Sequence, residues 1–480
     1  MNSKSDGTIH PRREEAVSHL STFDRVTGSD PTDIRGRRKE LFSGRTSSLA
    51  LVELCLSRIA NPEGEGRRTF IKVWDDQART VARAQDDLRS TGYASSPVAG
   101  IPISIKDLLD VKGETTLAGT KALDDAAPAA ADAPVVKRLK AAGAVLVGRT
   151  NMTQFAFSAV GINPYFGTPG NPWDRSRIPG GSSSGAAVSV ADGMAMAAIG
   201  SDTVGSIRVP AALCGVVGFK PTQHKVPREG AIPLSTTLDA IGPLARTVED
   251  CALVYAVITG EEYQLPGFAS PRGLRFAVPI NVVLEDMDAD VSRAFERARS
   301  MISNAGAVVS ELPIDLFAEI QSLNLHATIQ AVEALAWHRE LLARRGHDYD
   351  PKVRARIERG AHITAVDYVR ALDRRTDLIR TFRSLTAPFD ALILPTVPII
   401  PPTMDECERS EDGVRAKLIR NPSLFNILDR PAISIPIHRL GDAPVGLMIA
   451  GERDGDWRLL GIARAIESLV CAAMPDLSKS

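Results

Sequence analysis

The stretch Pro179-Gly-Gly-Ser-Ser-Ser-Gly185, with Gly200-Ser-Asp-Thr-Val-Gly-Ser-Ile-Arg-Val-Pro-Ala211 after it and Gly218-Phe-Lys-Pro-Thr222 closing it, decides how this chain is read. Two serine-bearing glycine turns bracket one short helix. Few long side chains stand between them, so backbone amides and hydroxyls can come close to a ligand. A Gly/Ser linker would be polar throughout. Ala186 to Ala198 is instead mostly small and apolar, as in a tightly packed buried segment.

Outward from that stretch, strands and helices alternate. Ser47 onward reads as a helix that Ser48 can cap, with Leu51, Leu54, Cys55 and Ile59 on one face. Phe70 to Trp74 reads as a strand, Asp76 to Leu88 as a charged helix, and Gly100-Ile-Pro-Ile-Ser-Ile-Lys-Asp107 as an alternating strand ending at Lys106 and Asp107. Val135 to Ala142 is helical and Ala144 to Val147 is a buried strand. After the serine stretch, Thr247 caps a helix to Thr259 with Glu249 and Asp250 in its first turn. Strands follow at Leu274 to Val278, Ala307 to Glu311, Ala391 to Pro395, Ala432 to Pro436 and Val445 to Ala450. Helices run from Asp288 to Ala305 and from Trp457 to Ala473. Such alternation implies an α/β fold with both sheet faces covered. Residues 1–46 form a polar segment of weak helical periodicity. Residues 47–480 read as one large domain, without internal repeat or clean linker. Within it, 314–388 is a charged helical insertion, read as a solvated face, with a lid as the rival.

Composition narrows the class. A chain of 480 residues with 44% hydrophobic content can bury a large core, and its net charge of -1 argues against nucleic acid or a polybasic membrane contact as a main partner. Its five cysteines are scattered without Cys-x-x-Cys, as in a reducing compartment. No apolar run reaches the ~18 residues of a membrane span, and Met1 to Arg13 lacks an apolar signal core. The expected location is the cytoplasm. None of the eight histidines forms a metal-ligand pair, so neither a metal nor a cofactor is expected.

Three chemistries compete for the glycine turns. Gly181-Ser-Ser-Ser-Gly185 matches a nucleophile elbow, but an elbow needs a strand directly before it. The preceding Asn171-Pro-Trp-Asp-Arg-Ser-Arg-Ile-Pro carries two prolines and no alternation. A phosphate-binding loop needs Lys and Ser/Thr after its last glycine, where this chain has Ala186 and Ala187. The third reading joins Lys106, Ser182 and Ser206. A serine hydroxyl attacks well only when a base takes its proton, and lysine is such a base only when neutral. Burial favours the neutral form, and Ile101, Ile103 and Ile105 lead into Lys106.

This combination resembles the amidase signature family. The resemblance rests on the stretches already quoted and on Cys214-Gly-Val-Val-Gly-Phe-Lys-Pro-Thr222, Arg149-Thr-Asn-Met-Thr-Gln-Phe-Ala-Phe157, Leu238-Asp-Ala-Ile-Gly-Pro-Leu-Ala-Arg-Thr-Val-Glu-Asp250, Leu394-Pro-Thr396 and Pro444-Val-Gly-Leu-Met-Ile-Ala-Gly451. It runs from about Leu51 to Glu467. It implies an α/β/α layered fold around a mixed sheet, and an amide hydrolase acting on C–N bonds other than peptide bonds. It also implies a Ser–cis-Ser–Lys triad in which Ser206 is the nucleophile, Ser182 the bridge behind a cis peptide and Lys106 the base. The backbone amides of Thr203, Val204, Gly205 and Ser206 would form the oxyanion hole. The implied partner is a small-molecule amide, and a homodimer is an expectation of the resemblance alone.

Two other readings stay open. One is the amidase component of a glutamine-dependent tRNA amidotransferase. Against it, Lys220-Pro-Thr is followed by Gln-His-Lys-Val-Pro-Arg-Glu-Gly230 rather than Gly-Arg-Val-Ser-Arg-Tyr-Gly. The other is a degenerate binding protein. The chain departs from the family pattern at Val204, where glycine is usual, at Met448, where glutamine is frequent, and at Asp429 or Arg430, where glycine is frequent. A β-branched Val204 requires a negative φ, and its side chain is expected to crowd the acyl pocket.

Overall fold

Alternate residues along three neighbouring strands enter different apolar clusters, and this places the sheet in the middle of the molecule. Ile393, Ile433, Ile435, Leu447 and Ile449 join one cluster. Leu392, Leu394, Ala432, Met448 and Ala450 join another. A strand whose successive side chains are both buried has helices on both faces. The computed structural model describes residues 33–472 apart from 269. Of the N-terminal segment 1–46, positions 1–32 lie outside the described residues, as does Ala473.

Eleven strands form one mixed sheet: β1 Phe70–Val73, β2 Pro102–Lys106, β3 Val145–Thr150, β4 Ala197–Asp202, β5 Val217–Lys220, β6 Ala240–Ala245, β7 Arg275–Pro279, β8 Val308–Leu312, β9 Ala391–Pro395, β10 Ala432–Pro436 and β11 Gly446–Ala450. Their order is β1-β3-β2-β4-β6-β5-β10-β11-β9-β7-β8. β2 runs parallel to both β3 and β4, and β7 runs parallel to β8 and β9. The remaining pairs are antiparallel. All five residues of β2 are buried, as a strand with both faces covered requires. Ile103 and Ile105 face the first cluster, and Ser104 turns the other way to share a 2.9 Å hydrogen bond with Ser189.

Local chemistry explains the helix boundaries. Ser47, not Ser48, caps helix Ser48–Ala60 by accepting from the Ala50 N–H at 3.0 Å. Leu54 is 42% exposed and leaves the buried face to Leu51, Val52, Cys55, Leu56 and Ile59. Thr247 caps helix Val248–Thr259 through the Asp250 N–H at 3.1 Å. The two serine turns bracket a helix, Ser184–Ala191, and also strand β4, so the span between them is longer than one short helix.

Region 314–388 carries helices Asp315–Ser322, Leu325–Arg345, Pro351–Glu358 and Ala365–Thr386. It is not merely solvated. Ile314, Phe317, Ile320, Ile329, Leu378 and Phe382 enter the second cluster. Phe155, from the segment after β3, stacks on Tyr349 at 4.9 Å and meets the edge of His338 at 4.4 Å. Among the described residues, no helix is long and apolar enough to cross a membrane.

Candidate active site

Three segments converge at the C-terminal end of β2. Lys106 is its last residue. The turn Gly181–Ser184 opens helix Ser184–Ala191, and the turn Thr203–Ile207 joins β4 to helix Arg208–Cys214. The two turns are tied together by the Ser183 N–H, which donates to the Ser206 carbonyl at 3.2 Å. The Gly181–Ser182 peptide is cis. Its flanks are pinned, because Gly181 N–H donates to Ala159 O at 2.7 Å and Thr153 N–H donates to Ser182 O at 3.1 Å. Small residues make this packing feasible: a Cβ on Gly185 would stand 2.4 Å from Thr69 O.

Lys106 is completely buried. Its Nζ donates to Ser182 Oγ at 2.7 Å, Ser183 Oγ at 2.9 Å and Ser201 Oγ at 2.9 Å. Burial lowers its pKa to about 7, against the weaker pull of Asp202 and Asp239. Half the amines are therefore neutral near pH 7, and an amine in that state accepts a proton. Ser206 is also buried, but it is not one of the three hydroxyls on Lys106. The sequence does not single out Ser183 or Ser201 as lysine partners. Both lie inside the quoted motifs, and nothing in their spacing shows that they face β2.

Asp202 fastens the second turn. Its Oδ1 accepts from Gly205 N–H at 2.8 Å, and its Oδ2 accepts from Ile207 N–H at 3.1 Å. Arg208 donates to both oxygens, Nε at 3.0 Å and Nη2 at 2.9 Å, and Nη2 also reaches Asn426 Oδ1 at 2.7 Å. Burial works to raise the Asp202 carboxyl, yet Arg208 and the other donors carry it well below the usual carboxylate range. One consequence bears on the four expected oxyanion donors. The Gly205 N–H is taken by Asp202, whereas the N–H groups of Thr203, Val204 and Ser206 have no partner among the described residues.

The departures from the family pattern also find their places. The turn needs a left-handed residue at Gly205, with φ +125°, while Val204 keeps a negative φ. A Cβ on Gly205 would stand 2.7 Å from the Pro422 side chain. Val204 does not line the cavity beside the site. It packs with Ile178, Val209, Leu213 and Leu418 in an apolar cluster. Met448 Sδ accepts from Arg208 Nη1 at 3.3 Å. Asp429 pairs with Arg453 at 2.8 Å, and Arg430 pairs with Glu452 while lying over the Phe382 ring at 5.1 Å. All three positions engage protein groups.

A cavity of about 470 Å³ opens beside the second turn. Ser201 and Thr203 line it together with Asp239, and the segment from His224 to Thr236 lines it as well. Thr203 Oγ1 donates to Asp239 Oδ1 at 2.5 Å, and Asp239 Oδ2 accepts from the Leu234 and Ser235 N–H groups at 2.9 and 3.0 Å. Burial raises the Asp239 carboxyl to about 6 despite those donors. The helical region holds this wall. Glu333 accepts from Ser235 Oγ at 2.5 Å and Thr237 N–H at 3.0 Å. His224, the histidine nearest the motifs in sequence, has a side chain 54% exposed, and its Nε2 lies 3.0 Å from Asp454. No group of three or more His, Cys, Asp or Glu among the described residues could hold a metal ion.

Comparison with known proteins bears on the family and the fold. The family model described as Amidase matches residues 50–460. The 2-amino-5-chloromuconic acid deaminase of Comamonas testosteroni is 37% identical, over 91% of this chain and 94% of that protein. A glutamyl-tRNA(Gln) amidotransferase subunit of Roseiflexus castenholzii is 35% identical, over 90% of this chain and 94% of that protein. A crystal structure of an amidase superposes with a TM-score of 0.83 at 32% identity, covering 91% of this chain and 99% of that one.

Proposed function

The chain belongs to the amidase family, enzymes that hydrolyse C–N bonds other than peptide bonds, and from that premise we propose that it cleaves a small-molecule carboxylic amide through an acyl-enzyme on Ser206. One observation carries the reading: a fully buried lysine amine, held near neutrality, lies 2.7 Å from Ser182 Oγ. Neutral Lys106 takes the Ser182 hydroxyl proton as Ser182 takes the proton of Ser206. The freed Ser206 oxygen bonds to the amide carbon, and the carbonyl π-electrons move onto oxygen. The N–H groups of Thr203, Val204 and Ser206 receive that charge. Collapse breaks the C–N bond, and the proton returns through Ser182 to the departing amine. Water then attacks the ester by the same relay, releasing acid and restoring Ser206. No cofactor enters the scheme. Cys55, Cys214, Cys251 and Cys407 are buried thiols outside any disulfide, which supports work in the cytoplasm.

The test is covalent labelling with a fluorophosphonate, which requires an activated serine. Wild type is expected to label at Ser206, and Ser206→Ala to lose both labelling and amide turnover while unfolding at the same denaturant concentration. Retained labelling of Ser206→Ala at Ser183 would transfer the nucleophile to the first turn, and an unlabelled wild type would leave a binding protein.

A second reading, in which the chain works inside a tRNA amidotransferase complex, is favoured by the Roseiflexus relative. It predicts co-purification with partner chains and release of ammonia from glutamine. In the segment Gln223 to Gly230, where the sequence departs from that type, His224 and the residues from Val226 to Gly230 line the cavity.

A further inference from the structure

The short segment from His224 to Arg228 carries three basic side chains, of which His224 and Arg228 line the cavity, and His224 and Lys225 pair with acids. His224 meets Asp454 at 3.0 Å and Lys225 meets Glu261 at 3.3 Å. Arg228 has no ion pair among the described residues, though its charge helps hold down the carboxyl of Asp239 on the same cavity. The Arg228 Nη1 donates to the Thr236 carbonyl at 2.6 Å, which fixes the guanidinium on the cavity wall. Across the cavity, the Asp239 oxygens are filled by Thr203, Leu234 and Ser235. Glu229 also lines the cavity but is exposed and forms no ion pair with Arg228. A guanidinium held on a cavity wall by a backbone carbonyl, with N–H donors beyond the one so used, is a receptor for a planar anion. At about 470 Å³ the cavity lies within the usual range for small-molecule sites. It runs from Arg228 to Ser201 and Thr203, beside the lysine and the turn that holds Ser206.

We infer that the substrate of this site carries a carboxylate, bound by Arg228 on the cavity wall while its amide lies at the Thr203–Ser206 turn, so that the enzyme acts on monoamides of small dicarboxylic acids. This rests on the amide-hydrolase reading and adds the substrate class to it. The donors left on Arg228 match a carboxylate as a two-pronged fork, and the neutral amide or ester of the same acid cannot accept both prongs with charge. Arg228 is here a specificity residue and takes no part in proton transfer.

The experiment compares succinamate with its methyl ester as substrates, and uses succinate as a binding probe. Wild type is expected to favour succinamate in kcat/KM, chiefly through KM. Arg228→Gln is expected to lower the ratio of the two kcat/KM values by about 10–100-fold, the usual effect of losing a hydrogen bond to a charged group, and Arg228→Lys to restore part of it. Succinate is expected to raise the melting temperature of Ser206→Ala and not that of the Ser206→Ala, Arg228→Gln double variant. An equal preference ratio in wild type and Arg228→Gln overturns the inference while turnover of the ester upholds the amidase reading. If neither compound is turned over, the melting shift still decides: no shift with succinate, or an equal shift in both variants, overturns it.

Discussion

All three hydrogen-bond partners of Lys106 are hydroxyls, and none carries a charge to hold its proton. That is why burial governs its titration. The sign follows directly: below about pH 7 the amine is protonated and cannot accept from Ser182, and above it the amine is free. Amide kcat/KM is expected to rise about tenfold per pH unit below 7 and to level off above it. Lys106→Arg, which stays protonated, is expected to lose about 10²–10⁴-fold at every pH. Near-normal turnover by that variant would remove lysine as the base. Lys106, Ser182 and Ser206 are legible in the sequence because each sits in a recognisable stretch. Ser183 and Ser201 are not legible as partners of the lysine, since only the packing of the first turn and the parallel register of β2 with β4 bring them to it. The motif suggests that Val204 crowds the acyl pocket, and the structure shows where its side chain packs. A side chain at a turn can point either way, and here it joins Val209 and Leu418.

The turn that holds Ser206 behaves as one unit with the strand before it and the helix after it, because a single carboxylate holds all three. Asp202→Asn preserves the shape but removes the charge opposite a fully buried Arg208. Leaving such a charge uncompensated costs about 3–5 kcal/mol. The variant is expected to unfold at correspondingly lower urea concentration, with the slope of the transition unchanged. A loss below about 1 kcal/mol would mean that Asn426 and the backbone fasten the turn without the ion pair. Most strands and the helices ending at Thr259 and Asn304 are legible from apolar periodicity and caps. Helix Met404–Arg420 is not, though Thr403 and Glu406 form a complete capping box at its start. Its run of charges and the backbone break at Ser410, with φ -153° and ψ 64°, hide the 3.6-residue period.

Across the whole molecule, the order of strands in the sheet differs from their order in the chain. β10 and β11, the last two made, stand between β5 and β9 and complete the middle of the sheet. A chain ending at Arg430 would lack both, leaving β5 and β9 with open edges. Such a chain is expected to show no cooperative urea transition and to elute as aggregate. A truncated chain that still unfolded cooperatively and labelled with fluorophosphonate would contradict the joint role of these strands. The charges of region 314–388 suggest a solvated insertion, but its apolar positions pack into the second cluster, and Glu333 braces the cavity wall. Periodicity cannot reveal such contacts between distant segments. The late centre of the sheet also bears on how the enzyme is born. At about 5–20 residues per second, on the order of ten to fifty seconds separate Ser206 and Ala432 at the ribosome. Throughout that interval the nascent polypeptide holds Lys106, Ser182 and Ser206 and lacks the strands that join the two halves of the sheet, so any hydrolysis that needs the closed sheet waits for β10 and β11.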